Sequence, residues 1–171
     1  MHRKKISFIL LLTTVAIILI SESFVAVPQP NISEPADMSN CGPVMISKPN
    51  GIGSHFFGIN CQSCHVKGRK GTGCFIVAGS VYDEDRSKIY KNPVVKLYTQ
   101  PRAGGKLVAT ITGDKLGNFY TTKEIDFGGG LFATLIGTPG VKEPIKHMLR
   151  PIFTGDCNNC HGRNFEPLGI D

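Results

Sequence analysis

The sequence predicts a mainly β fold: a small antiparallel β-sandwich between two irregular or short-helical segments. Three observations carry this. Short β-type runs recur at roughly ten-residue spacing between residues 74 and 140, separated by Gly, Asn, Asp and Pro turn signals. No stretch of that region shows helical periodicity. On either side of it the chain repeats one motif, Cys61-Gln62-Ser63-Cys64-His65 and, 96 residues later, Cys157-Asn158-Asn159-Cys160-His161.

The chain opens with Met1-His2-Arg3-Lys4-Lys5, a 15-residue, mostly apolar run from Ile6 to Ile20, and Ser21-Glu22-Ser23. A charged start, an apolar centre and small residues at the end are the layout of a cleaved signal peptide, residues 1–23. The run is short against the ~20 residues that cross a bilayer, so no membrane span is expected after cleavage. Export places the rest of the chain outside the cytoplasm, periplasmic or extracellular. Removing Arg3, Lys4, Lys5 and Glu22 leaves 16 basic and 12 acidic residues, a charge of +4 in place of +6. No aromatic residues alternate with these basic ones on a binding face, so nucleic acid is not an expected partner.

Residues 24–52 hold five prolines with many Asn and Ser, the composition of an extended leader lying over a surface or a partner. Residues 53–73 form the first motif segment. Asn60 precedes Cys61 as Asp156 precedes Cys157, and both residue types cap helices, so each motif is expected to open a short helix or turn.

Two cysteines separated by two residues and followed by histidine form the attachment pattern of c-type haem. Each thiol adds to one of two vinyl groups on the same porphyrin edge, and the adjacent imidazole becomes the proximal ligand of the iron. The composition gives one such match by chance about 0.006 times per chain. Two covalently attached haem c groups are therefore expected: one on Cys61 and Cys64 with His65 as ligand, the other on Cys157 and Cys160 with His161. A four-cysteine zinc site is the rival, but its two pairs usually stand about 15–20 residues apart, and both histidines would be idle. A thioredoxin-like redox pair needs one pair in a βαβ setting and leaves the repeat unexplained.

Within residues 74–140, strands are expected at Phe75–Tyr82, Val94–Thr99, Lys106–Thr112, Asn118–Ile125 and Leu131–Ile136. In the third, Leu107, Ala109 and Ile111 share one face and Val108, Thr110 and Thr112 the other. Turns are expected at Asp83–Asp85, Asn92-Pro93, Gly104-Gly105, Gly113-Asp114, Gly117-Asn118 and Gly128–Gly130. Residues 141–171 read as short helices and irregular chain bearing the second motif, with a polar tail. Once four cysteines serve haem, Cys41 and Cys74 remain as an even pair in an oxidising compartment. They can form a disulfide with each other; two separate buried thiols, or a Cys41 that pairs between molecules, are the alternatives.

These residues resemble exported dihaem and multihaem c-type cytochromes in which a carboxypeptidase-regulatory-like β-sandwich sits between two haem segments. The resemblance rests on Gly53-Ser54-His55, on Gly58 with Cys61–His65, and on Phe75–Tyr82. It continues through Val95–Tyr98, Leu107–Thr110, Gly117–Tyr120, His147-Met148 and Gly155-Asp156 with Cys157–His161, about residues 53–162. It implies His55 as a distal haem ligand and a role in electron transfer outside the cytoplasm.

Histidine arithmetic agrees with that role. With His2 in the signal peptide, His55 and His147 remain for two distal positions, and Met148 competes with His147. Two imidazoles on each iron leave no position for oxygen or peroxide and suit outer-sphere electron transfer. The expected protein carries electrons between redox partner proteins, other cytochromes or copies of itself among them, and is not an enzyme. Two other classes stay open: a subunit of an extracellular cytochrome filament, and a small peroxidase or nitrogen-oxide reductase with one open axial position. Distal ligation can be local, or crossed so that each distal histidine serves the other haem; the six-residue tether from His55 to Cys61 favours the crossed form.

Overall fold

The computed structural model describes residues 41–137, 144–162 and 166–170. The expected signal peptide, the leader up to residue 40 and residues 138–143 lie outside them. The described chain is mainly β with very little helix. Four of its strands come from the alternating and β-branched runs of the middle region: β1 (Val77–Ser80), β3 (Val94–Gln100), β4 (Gly104–Thr112) and β6 (Phe132–Ile136). The others are β2 (Tyr82–Asp83), β5 (Asn118–Thr121), β7 (Ile145–His147), β8 (Gly155–Asp156) and β9 (Gly169–Ile170). A 3-10 turn at Cys61–Ser63 and one turn of helix, α1 (Cys157–Cys160), are the helical pieces.

The strands form three small sheets in the orders β5-β1-β8, β2-β9 and β4-β3-β6-β7. Pairing is antiparallel within the β3, β4, β6 and β7 sheet and between β1 and β5. It is parallel between β1 and β8 and between β2 and β9. Among the described residues of 74–140 the paired strands are antiparallel, as expected, and the parallel pairs arise where β8 and β9, from residues after 141, join β1 and β2; that segment thus contributes strands as well as irregular chain. Two- and three-residue strands are too short to show an alternation of their own and exist because a neighbour's edge accepts them.

The turn before β4 also differs from expectation. It falls at Pro101-Arg102-Ala103, where Arg102 and Ala103 have φ of 56° and 59° and Gly104 N–H donates to Pro101 O at 3.1 Å. Positive φ at both central residues, Arg102 and Ala103, is the mirror-image turn that joins hairpin strands, and the strand begins at the glycines instead of stopping there.

One cluster gathers Val77, Val81 and Phe119 with Val95, Leu97, Ile111, Leu131, Leu135 and Ile170, each 8% exposed or less. It draws on all three sheets. The described end of the leader lies along β5: Ile46 bridges Thr121, Ser47 N–H donates to Tyr120 O, and Tyr120 N–H donates to Ser47 Oγ. Cys41 is joined to Cys74 by a disulfide with Cα atoms 5.1 Å apart, which anchors this segment to the start of the β1 run.

Candidate functional site

The first motif is seated by a cap and a return of the chain. Asn60 Oδ1 accepts Gln62 N–H at 2.8 Å and closes the 3-10 turn, while Gln62 Nε2 donates to Ile76 O at 3.3 Å. The chain then doubles back, with Gly71 N–H on Cys64 O at 2.9 Å and Phe75 N–H on His65 O at 2.8 Å. This brings Thr72 O to 2.8 Å from His65 Nδ1. A carbonyl oxygen can only accept, so Nδ1 carries the proton, and a neutral ring keeps its lone pair on Nε2. Such a second bond is how proteins orient a metal-binding imidazole. Gly71 is required for this approach: a Cβ there would stand 2.7 Å from the His65 ring.

The plane of His65 is held as well. Its ring stacks on Phe75 at 4.1 Å with 2° between planes, and Phe75 stacks on Tyr120 at 4.6 Å. The His55 ring lies 5.7 Å from that of His65. Two imidazoles bound at about 2 Å to one metal ion have ring centres roughly 6 Å apart, so the spacing is close to that of a ligand pair. After His55 the backbone turns through Phe56 at φ 51°, and the Phe56 ring meets His55 edge to face at 4.9 Å. His55, His65, Cys61, Cys64, Phe75 and Tyr120 line one cleft of about 460 Å³, within the range of small-molecule and cofactor sites.

The second motif is presented by β8. Gly155 and Asp156 pair with Val77 and Ala78 of β1, and α1 follows at once. Asp156 stands at the N-cap of α1 and the motif opens a helical turn, as expected, although no side-chain cap hydrogen bond forms. Its Oδ2 instead accepts Asn60 Nδ2 at 3.0 Å, so the residues preceding the two motifs bond to each other. Burial pushes the Asp156 carboxyl above the ordinary range, and the Asn60 side chain and the Asn159 N–H pull it partly back. His161 Nδ1 lies 3.0 Å from Glu166 O, the same carbonyl arrangement as at His65. Both expected proximal histidines thus have Nδ1 on a backbone carbonyl.

The cysteines differ in setting. Burial pushes the Cys61 thiol up to about 11, with the charge of Asp156 adding to it. It pushes Cys157 up to about 12, with smaller contributions from Asp156, Cys61 and Cys160. Cys64 and Cys160 are exposed. Among the described residues no group of three or more His, Cys, Asp or Glu side chains could hold a bare metal ion, so the two pairs do not converge as a zinc site would require. Two thiols per motif, a histidine oriented through Nδ1 and, at the first motif, a second imidazole across a cleft fit a covalently attached porphyrin.

His147 lies on β7, an edge strand, exposed and with Nδ1 3.1 Å from Thr134 Oγ1. Met148 follows it, its N–H on Ala133 O at 2.8 Å. Several contributors gave no sign in the sequence. Thr72 and Glu166 act through backbone carbonyls, which leave no trace in residue type. Ser80, Asn118 and Asn158, which link the motifs, are small polar residues that read as turn or cap formers; only their burial marks them. Comparison with protein-family models, curated proteins and solved structures finds no match to this chain. No described helix is long and apolar enough to cross a membrane.

Proposed function

We propose that the protein is an exported dihaem c-type cytochrome that carries electrons between redox partners outside the cytoplasm, as the resemblance in its motifs implies. One observation carries the reading: both histidines that follow a cysteine pair have Nδ1 on a backbone carbonyl, His65 on Thr72 and His161 on Glu166, the kind of second bond by which proteins orient metal-binding imidazoles. Cys61, Cys64 and His65 would hold one haem and Cys157, Cys160 and His161 the other. When bound, each haem supplies a one-electron couple. The chain's own part is to fix the imidazole planes, to exclude water with Phe75 and Tyr120, and to keep the two motifs side by side.

At the first motif the distal ligand is His55, and ligation is local, since its ring lies beside that of His65. We prefer this local form to the crossed arrangement that the short tether favours. At the second motif His147 and Met148 are the candidates. The sheets that share the core would pack as the two layers of a sandwich, with the motifs against β1. A small haem enzyme with one open axial position is the second reading, and the edge-strand placement of His147, bonded to Thr134, favours it at the second motif.

The test is an intact mass and an absorption spectrum of the purified, exported protein. Cleaved chain plus two haems, low-spin in both oxidation states, is the expected result, with His55→Ala turning one haem high-spin. A chain without covalent haem refutes the proposal. A parent protein with one high-spin haem that binds carbon monoxide favours the enzyme.

A further inference from the structure

Resting on the dihaem reading, we propose that Asn158, a spacer residue of the second motif, is a positioning residue for the first. Through Ser80 and Asn118 it holds the chain that carries His55, so one site's distal-ligand run is set by the other site's motif.

The path is continuous and buried. Asn158 is 7% exposed, and its Oδ1 accepts Ser80 N–H at 2.9 Å. Its Nδ2 donates to Ser80 Oγ at 3.0 Å and to Ile59 O, two residues before Cys61, at 2.9 Å. Ser80 Oγ accepts Gly58 N–H at 2.9 Å and donates to Asn118 Oδ1 at 2.6 Å. Asn118 Nδ2 donates to Ser54 Oγ at 2.9 Å and more weakly to His55 O at 3.5 Å. Three side chains, each under 9% exposed, thus hold residues 54, 55, 58 and 59, the run from the distal histidine to the cap of the first motif.

No buried side-chain nitrogen or oxygen among the described residues lacks a partner. A network complete in this way is rigid, and deleting one member leaves its neighbours desolvated and unpaired. The geometry also explains why Asn stands at this spacer position. β8 stops pairing with β1 at Ala78, and the Asn158 carboxamide takes over the backbone N–H of Ser80 where the strand has turned into α1. Gln or Ser there could not offer an acceptor to Ser80 and donors to Ile59 and Ser80 Oγ from the same short stem.

The test is Asn158→Leu in the full chain with both haems verified by mass, and Asn158→Asp beside it, which keeps the acceptor for Ser80 N–H and loses both donations. The readout is the low-temperature EPR signal of the first haem, identified as the signal that His55→Ala removes. Asn158→Leu is expected to shift and broaden that signal and to convert part of it to high spin, although neither His55 nor His65 is changed; Asn158→Asp does the same to a smaller extent. Hydrogen exchange at Gly58 should accelerate by about ten-fold or more in both variants. A first-haem signal and Gly58 exchange equal to the parent's, with only the second haem or the melting temperature altered, overturns the proposal. If the mass shows no haem, the cytochrome reading fails, and exchange at Gly58 still decides the coupling.

Discussion

Removing the Cys41–Cys74 disulfide tests how the first site is held. The bridge spans 33 residues, and that loop contains the whole Cys61–His65 motif and His55. In the chain-entropy treatment a loop of this length removes about 2.1 + 1.5R ln 33, or about 12.5 cal/mol/K, from the unfolded chain. At 25 °C this is about 3.7 kcal/mol. Over Asp37–Asp171, 135 residues, the unfolding entropy near 60 °C is about 280 cal/mol/K, so the melting temperature should fall by roughly 13 °C. The perturbation is Cys41→Ala/Cys74→Ala, and the assay is calorimetry of parent and variant at equal haem content. The fall should come with fraying of the leader, seen as faster hydrogen exchange at Ser47 and Thr122, whose N–H groups donate to Tyr120 O and Met45 O. A variant that melts within about 3 °C of the parent refutes the reasoning, because another constraint would then close the loop in the unfolded chain.

Gly79→Ala should destabilise by about 1–3 kcal/mol in urea titration, since the new Cβ would meet Phe119 Cζ at 2.5 Å and Cys157 Cβ at 2.9 Å in a packed core. In haem-free, disulfide-bonded protein at pH 8, iodoacetamide should modify exposed Cys64 and Cys160 well before Cys61 and Cys157. With thiols pushed up to about 11 and 12, those two hold thiolate fractions of about 10⁻³ and 10⁻⁴, against roughly a quarter for an ordinary cysteine. Peptide mapping of the first-labelled sites decides this, and early labelling at Cys157 contradicts the burial of its thiol. The Asp83 carboxyl is held below its ordinary value, chiefly by the Lys88 N–H and also by the Ser87 N–H and hydroxyl, so its contribution is present above about 3.9 and is lost as pH falls through the lowered folded-state value. Asp83→Asn should therefore be less stable than the parent at pH 5–7 and equal to it near pH 2, in matched thermal melts.

What the sequence disclosed was whatever chemistry or periodicity keeps local. Each Cys-x-x-Cys-His motif is contiguous in the chain, so both could be read without knowing the fold. The alternation in Lys106–Thr112 showed a strand because its seven residues include full periods of two. The turn at Pro101-Arg102-Ala103 was misplaced because the glycines beside it carried the stronger signal, although Arg102 and Ala103 adopt the left-handed conformation. The strands β7, β8 and β9 were hidden because pairing over two or three residues is decided by the neighbour. His147 was assigned by counting histidines, and a count carries no direction; its strand places it at a sheet edge beside Thr134. The tether argument for crossed ligation judged six residues by length, and a length does not register the left-handed backbone at Phe56 and Gly58, φ 51° and 77°.

β1 explains why motifs 96 residues apart end up as neighbours. Gln62 of the first motif reaches Ile76 O at its entry, Gly58 reaches Ser80 at its exit, and β8 with Asn158 occupies the edge between. The first contact closes only 14 residues and can form as soon as β1 does. The contact of Asn158 with Ser80 closes 78 residues, across the chain that forms β3 to β6. Loop closure grows only slowly with length, so the distance itself is a minor cost. The demanding step is to desolvate Asn158, Ser80 and Asn118 together, which returns free energy only when the last partner is seated. A seat of that kind is all-or-none: both motifs are held against β1, or the polar groups between them remain in water.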